Sequence, residues 1–237
     1  MTHTTMVVGA SRGLGRGIAE VLADSGTPVI AVARSAIRLD QVQAVVADAT
    51  DAAAAGTLID RYQPRNLVLV AGASPLVRPI QRHTWETFSA NWETDVRMTF
   101  HWVREALLTP LAPGGRVVIM SSGAALQGSP LSGGYAGAKA TQRFIAAYAR
   151  EEANREELGI TFTSILPRIT PLTELGRPAV EAYAARAGVT QEQYMRQMGP
   201  LVTPEVAGNA VLELLRKDAE NLAPAYLLTG AGLKELP

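Results

Sequence analysis

Six short apolar runs, separated by longer amphipathic stretches, constrain the fold of this chain more than any other feature. MVVGA (6–10), PVIAVA (28–33), AVVAD (44–48), NLVLVAG (66–72), RVVIMSS (116–122) and ITFTSIL (160–166) read as strands. Most are continuously apolar, as strands covered on both faces require. Helical patterns occupy 15–24, 52–62, 84–109, 133–156 and 204–217, whereas SAIRLDQVQ after the second strand has room for a turn or two of helix at most. Strand and helix in alternation predict right-handed crossovers and a doubly wound parallel α/β sheet, in a single domain over 1–237. One stretch departs from the pattern. Residues 171–200 are polar, broken by Pro and Gly, and carry Tyr183, Tyr194, Met195 and Met198. They read as an excursion from the sheet that covers a site.

The turn after the first strand narrows the fold further. In VVGASRGLGRGIAE, Gly9, Gly13 and Gly15 allow a tight turn and let backbone N–H groups approach a pyrophosphate, whose charge a helix N-terminus favours. With Ser11, Arg12 and Leu14 they make a candidate dinucleotide site, and the predicted sheet is of the Rossmann type. An NAD site usually places an acid at the end of the second strand, about 20 residues on. This chain has AVARS there, with Arg34. Arg34 and Arg12 can clasp a 2′-phosphate with no carboxylate beside them to repel it, which predicts NADP(H) in preference to NAD(H).

A second motif carries chemistry. YAGAK sets Tyr135 and Lys139 four residues apart, one helical turn, with only Gly and Ala between them. A free phenol titrates near ~10, and a neighbouring cation favours its ionised form, bringing proton exchange toward neutral pH.

Taken in order, GASRGLG, AGA after the fourth strand, SSG after the fifth, YAGAK and ILPRIT resemble the short-chain dehydrogenase/reductase family, from Val7 to about Gly232. Ser122 lies 13 residues before Tyr135, the usual spacing in that family. The resemblance implies Tyr135 as general acid/base and Lys139 as the group that activates it and binds the nicotinamide ribose. It implies Ser122 as the donor that holds the substrate carbonyl, and Asp48 with Ala49 at the adenine. Ala71 and Gly72 become the small turn against the cofactor, with Pro167 and Ile169 beside the nicotinamide. The implied reaction is hydride transfer between NADP(H) and a small-molecule carbonyl or alcohol, in a homodimer or homotetramer whose helices 84–109 and 133–156 pair across a two-fold axis; a cytoplasmic location is the default expectation for a sequence with no secretory pattern and no apolar span. The chain departs from the family at several positions. Val8 and Val70 stand where Thr and Asn are usual, and Arg168 follows Pro167 where Gly is usual. Asp95 occupies the place of the Asn that completes the catalytic set. That Asn works largely through its main-chain carbonyl, which holds a water near the lysine, and Asp95 offers the same carbonyl.

Composition removes other classes. Lys+Arg and Asp+Glu are both 22, so bulk charge attracts neither nucleic acid nor an anionic membrane. There is no cysteine, and His3, His83 and His101 fit no metal spacing, so no metal is expected. The first residues lack the pattern of a secretory signal, and no apolar run approaches the ~20 residues of a membrane span. GASRG also matches the G-x-S-x-G elbow of α/β-hydrolases, but no histidine follows residue 101 to complete a triad. The alternative that stays open is a non-catalytic dinucleotide-binding sensor or scaffold of the same fold.

Overall fold

The computed structural model describes residues 3–237. Strands β1 (Thr5–Val8), β2 (Val29–Ala33), β3 (Val42–Val46), β4 (Asn66–Leu69), β5 (Arg116–Met120), β6 (Thr161–Pro167), β7 (Ala225–Thr229) and β8 (Gly232–Leu236) form one sheet in the order β3-β2-β1-β4-β5-β6-β7-β8. All neighbours are parallel except β7 and β8, which are antiparallel. Successive side chains point to opposite faces, and both faces are covered. Met6, Val8, Ile30, Val32, Leu67, Leu69, Val117 and Ile119 enter one core. It is completed by α2 (Ala52–Tyr62), α4 (Arg97–Leu108) and α6 (Tyr135–Arg155). Val7, Val29, Ala31, Val68, Val118 and Met120 enter the other, beneath α1 (Gly13–Asp24) and α9 (Pro204–Arg216). The continuous apolar runs thus follow from double coverage, and the doubly wound parallel sheet is as predicted.

The sheet edge differs from expectation. Residues 35–41 hold no helix; between a bend at Arg34–Ser35 and a turn at Asp40–Gln41 they lay Ile37 and Leu39 against the second core beside Val42. Without a crossover helix, β3 stays largely open to solvent, and Val46 is 64% exposed. At the other edge, β7 and β8 escape a search for long apolar runs. AYLLT is five residues, and GLKEL carries the charges of an edge strand. The excursion at 171–200 is largely helical, with α7 (Gly176–Ala187) and α8 (Gln191–Gln197), the latter opened by a capping box between Thr190 and Gln193. A four-residue helix, α5 (Ala124–Gln127), follows β5.

The predicted helix at 84–109 is interrupted. α3 (Trp85–Asn91) passes into a five-residue π turn, Trp92–Val96, and then into α4. Trp102 is fully buried in the core, whereas Phe100 on the same helix is 51% exposed. On α6, Phe144 and Tyr148 are exposed and stacked, with ring centroids 6.2 Å apart.

Helices α1 and α9 touch through glycine. A Cβ at Gly208 would lie 2.6 Å from Val21 Cβ and 2.8 Å from the Gly17 carbonyl oxygen. In an open helix, Gly→Ala gains about 1 kcal/mol in propensity, but here the backbone atoms it would meet cannot yield. Gly208→Ala is therefore expected to destabilise the fold by about 1–3 kcal/mol, the usual cost of overpacking, read as a lower midpoint in urea unfolding.

Candidate active site

The carboxyl ends of the parallel strands open onto one cavity of about 1010 Å³. Every site residue predicted from the sequence lines it. Gly9, Ser11, Arg12, Gly13, Leu14 and Gly15 come from the β1–α1 turn, Arg34 follows β2, and Asp48 and Ala49 follow β3. Ala71 and Gly72 follow β4, Asp95 lies in the π turn, and Ser122 follows β5. Tyr135 and Lys139 begin α6, while Pro167 and Ile169 close β6.

The glycines of the first turn serve two different ends. Gly13 has φ +55°, and a Cβ built there would sit in ordinary contact with the Thr173 methyl at 3.7 Å. Gly9 and Gly15 instead allow chain to touch chain. A Cβ on Gly15 would meet the Gly9 carbonyl at 2.1 Å, and one on Gly9 would meet the Ala71 amide nitrogen at 2.4 Å. Helix α1 has no side-chain cap and no acidic residue in its first turn, so its leading N–H groups face the cavity free of a carboxylate of their own. An uncapped helix N-terminus behind a glycine cradle suits the pyrophosphate of a dinucleotide.

At the adenosine end, Asp48 accepts from the Thr50 amide at 2.9 Å and hydroxyl at 2.8 Å. Those two bonds hold its carboxyl below the usual carboxylate range, with the Arg34 charge adding to the effect. Trp102 Nε1 donates to the Ala49 carbonyl at 3.0 Å and ties this turn to α4. One expectation is corrected. Arg12 does have a carboxylate beside it, because Glu174 from the covering segment pairs with its guanidinium at 2.5 Å. The two residues are 162 positions apart, so no local pattern announces the contact.

At the other end, Lys139 Nζ lies 5.6 Å from the Tyr135 ring centroid. Ser121 Oγ donates to the Lys139 carbonyl at 2.7 Å, binding α6 to the end of β5, while Ser122 Oγ accepts from the Ala124 amide at 3.2 Å. The Lys139 ammonium is buried. It donates to Gln142 Oε1 at 2.8 Å and to the Met120 carbonyl at 3.3 Å, and pairs with Asp95 Oδ2 at 3.1 Å. Burial pulls its pKa down, but the Asp95 carboxylate and Tyr135 outweigh burial, and the net direction is up from the ordinary 10.5. The stability this pairing contributes is complete below the unfolded lysine's value and is lost only as pH rises through the higher folded one.

Asp95 itself is fully buried. Its Oδ1 accepts from the Ala73 amide at 2.8 Å, and a Cβ on Gly72 would approach Oδ2 to 2.9 Å, so the small turn after β4 makes room for this carboxylate. Asn91 Nδ2 donates to the Ala73 carbonyl at 2.8 Å and locks the same turn. The Asp95 main-chain carbonyl does not stand open as the sequence suggested: it accepts from Thr99 Oγ1 at 2.9 Å and Gln142 Nε2 at 3.1 Å. Gln142 escaped the sequence reading although its signal was present, since Tyr135, Lys139 and Gln142 stand at i, i+4 and i+7 on one helix face.

The covering segment forms the outer wall. The Tyr183 hydroxyl hydrogen-bonds Ser129, and the Tyr183 and Tyr194 rings stack at 6.4 Å, both lining the cavity with Arg168. Burial, then Tyr183, raises the Tyr194 pKa against the opposing charge of Arg168.

A family model described as short chain dehydrogenase matches residues 3–184. The chain belongs to the short-chain dehydrogenase/reductase family; it is an oxidoreductase of a family that binds a nicotinamide dinucleotide. It is 26% identical to a hydroxynaphthalene reductase-like protein of Metarhizium majus over 96% of this chain and 94% of that protein. A short chain dehydrogenase family protein of Francisella tularensis shares the fold with a TM-score of 0.81, at 17% identity over 96% of each chain. A short chain dehydrogenase of Burkholderia cenocepacia, solved in complex with NADP, has a TM-score of 0.75 and 24% identity over 95% of this chain and 87% of that one. Among the described residues, no helix is long and apolar enough to cross a membrane.

The closeness of Gly15 to Gly9 gives a direct test of the cradle. Gly15→Ala must push the turn open, and dinucleotide binding is expected to weaken about tenfold or more, the equivalent of ~1.4 kcal/mol, in a fluorescence titration with NADPH.

Proposed function

We propose that this chain transfers a hydride between NADP(H) and the carbon of a small carbonyl or alcohol substrate, with Tyr135 as general acid/base. The observation that carries the reading is that Tyr135, its lysine partner and Ser122 line the same cavity as the uncapped start of α1. A bound nicotinamide dinucleotide supplies or accepts the hydride. In the reducing direction Tyr135 gives its phenolic proton to the substrate oxygen, and in the oxidising direction it takes that proton back. Ser122 donates a hydrogen bond to the same oxygen and steadies the charge that develops there. The fixed positive charge of Lys139 favours negative charge on the phenol oxygen while the proton is away. Asp95 holds the lysine and Gly72 gives Asp95 its room.

The choice of NADP(H) rests on Arg12 and Arg34 at the adenosine end, and on Arg34 standing where an acid would favour NAD(H). The relative from Burkholderia cenocepacia, solved with NADP, supports the same choice. A 2′-phosphate must draw Arg12 from Glu174, a pair that is well exposed on both sides and therefore weak. The exposed Phe100, Leu108, Phe144 and Tyr148 on α4 and α6 suit pairing of two copies about a two-fold axis, in a dimer or tetramer.

Two outcomes test this reading. Tyr135→Phe is expected to keep NADPH affinity and to lose about 10²–10⁴ in kcat on a panel of aldehydes and ketones, because only the exchangeable proton is removed. The wild type is expected to favour NADPH over NADH in kcat/KM by roughly tenfold or more, since a charge-assisted hydrogen bond is worth about 1.5–3 kcal/mol. Tight NADPH binding with no turnover of any carbonyl would favour the sensor or scaffold instead.

A further inference from the structure

Lys139 is almost wholly buried at the inner edge of the cavity it lines. Gln142 Oε1 and the Met120 carbonyl accept two of its three protons, at 2.8 and 3.3 Å, and the Asp95 carboxylate stands 3.1 Å away on the third side. An ammonium has three donors and no acceptor; two are bound, and the third stands beside Asp95 Oδ2, which is buried with no hydrogen-bond partner of its own. The path behind the lysine is shut. A carbonyl has two lone pairs, and those of Asp95 are taken by Thr99 Oγ1 at 2.9 Å and Gln142 Nε2 at 3.1 Å. Gln142 thus acts at both points, since its oxygen accepts from the ammonium while its nitrogen stops the carbonyl. Thr99 also accepts from Gln142 at 2.6 Å, which fixes the amide in this orientation.

We propose that Asp95 and Gln142 are positioning residues that fix the Lys139 ammonium as a permanent buried charge and close the proton path behind it, so that Tyr135 regains its proton from water in the open cleft. The role given to Tyr135 here rests on the function proposed above; the lock on Lys139 does not. Lys139 differs in this respect from a lysine that hands protons inward through an ordered water. The charged and titratable groups that act on it are Asp95 from the π turn and Tyr135 from its own helix, one turn earlier. β5 presents the neutral Met120 carbonyl to it, and on α4 the neutral Thr99 hydroxyl meets Gln142 and not the ammonium.

The chain has three lysines, Lys139, Lys217 and Lys234, so lysine labelled with ¹³C at Cε and ¹⁵N at Nζ gives three NMR signals, assigned with Lys217→Arg and Lys234→Arg. In the wild type the Lys139 Cε signal is expected to stay at its charged position through pH 10.5, the ordinary lysine value. Its Nζ protons are expected to exchange with solvent more slowly than those of the other two. Asp95→Asn, close in shape, should move the titration to lower pH, because burial then acts with no counter-charge. Gln142→Met should speed the exchange by reopening the path. Titration of Lys139 at or below 10.5 in the wild type, exchange as fast as at Lys217 and Lys234, or an Asp95→Asn titration equal to the wild type's would each overturn the proposal. The two wild-type measurements decide it even where a variant fails to fold. All are made without cofactor or substrate. A locked ammonium in a chain that reduces no carbonyl would therefore remove the proposed function and leave the lock standing.

Discussion

The contact between Asp95 and Lys139 is where the rest of the structure meets. Taking two charges out of water costs several kcal/mol for each, and only close pairing with further hydrogen bonds offsets that cost. Four separate segments meet at the pair, three of them supplying those bonds. The turn after β4 gives the Ala73 amide, the end of β5 gives the Met120 carbonyl, α6 gives Gln142, and the π turn brings in Asp95 itself. Removing one partner would strand the other as an uncompensated buried charge, so each segment is held in register by the demands of the pair. This wall of the cavity is held by that electrostatic demand as well as by the packing of its apolar neighbours.

The opposite wall is held more lightly. The covering segment reaches the glycine turn through Glu174 and Thr173, and reaches the β5–α6 loop through Tyr183 and Ser129. The Arg12–Glu174 contact is exposed, and such pairs contribute about 0–1 kcal/mol. A cavity with one wall locked by buried charge and the other latched by solvated polar contacts allows a ligand to displace the second without disturbing the first.

How far the sequence discloses this arrangement depends on the range of each interaction. Periodicity over a few residues was enough for β1 to β6, five of which are covered on both faces and so leave an unbroken apolar run, and for the helices, although it ran α3, the π turn and α4 together. It was not enough for β7 and β8, where five residues and an edge position dilute the signal. It allowed a turn or two of helix at 35–41, where Ile37 and Leu39 instead pack from irregular chain. At the site, YAGAK and the glycine turn were legible because their chemistry needs residues at fixed local spacing. The placement of Asp95 near Lys139 came through family resemblance, not from spacing. Glu174 on Arg12 and Gln142 on the Asp95 carbonyl depend on tertiary placement that no local pattern encodes, although the helical spacing of Gln142 from Lys139 was there to be read.

The π turn at Trp92–Val96 has one further consequence. Such a turn holds one residue more than an α-helix of the same rise, and each residue rotates the helix by about 100°. Loss of a single residue from this stretch would let α3 and α4 join as one regular helix, with Trp102 and the core left in place. Where the residue lost lies between Asp95 and α4, it would also swing the Asp95 carboxylate about a quarter-turn away from the ammonium. The site is therefore exposed to a kind of damage that no point substitution reproduces: a deletion that spares the fold and breaks the phase between two helices.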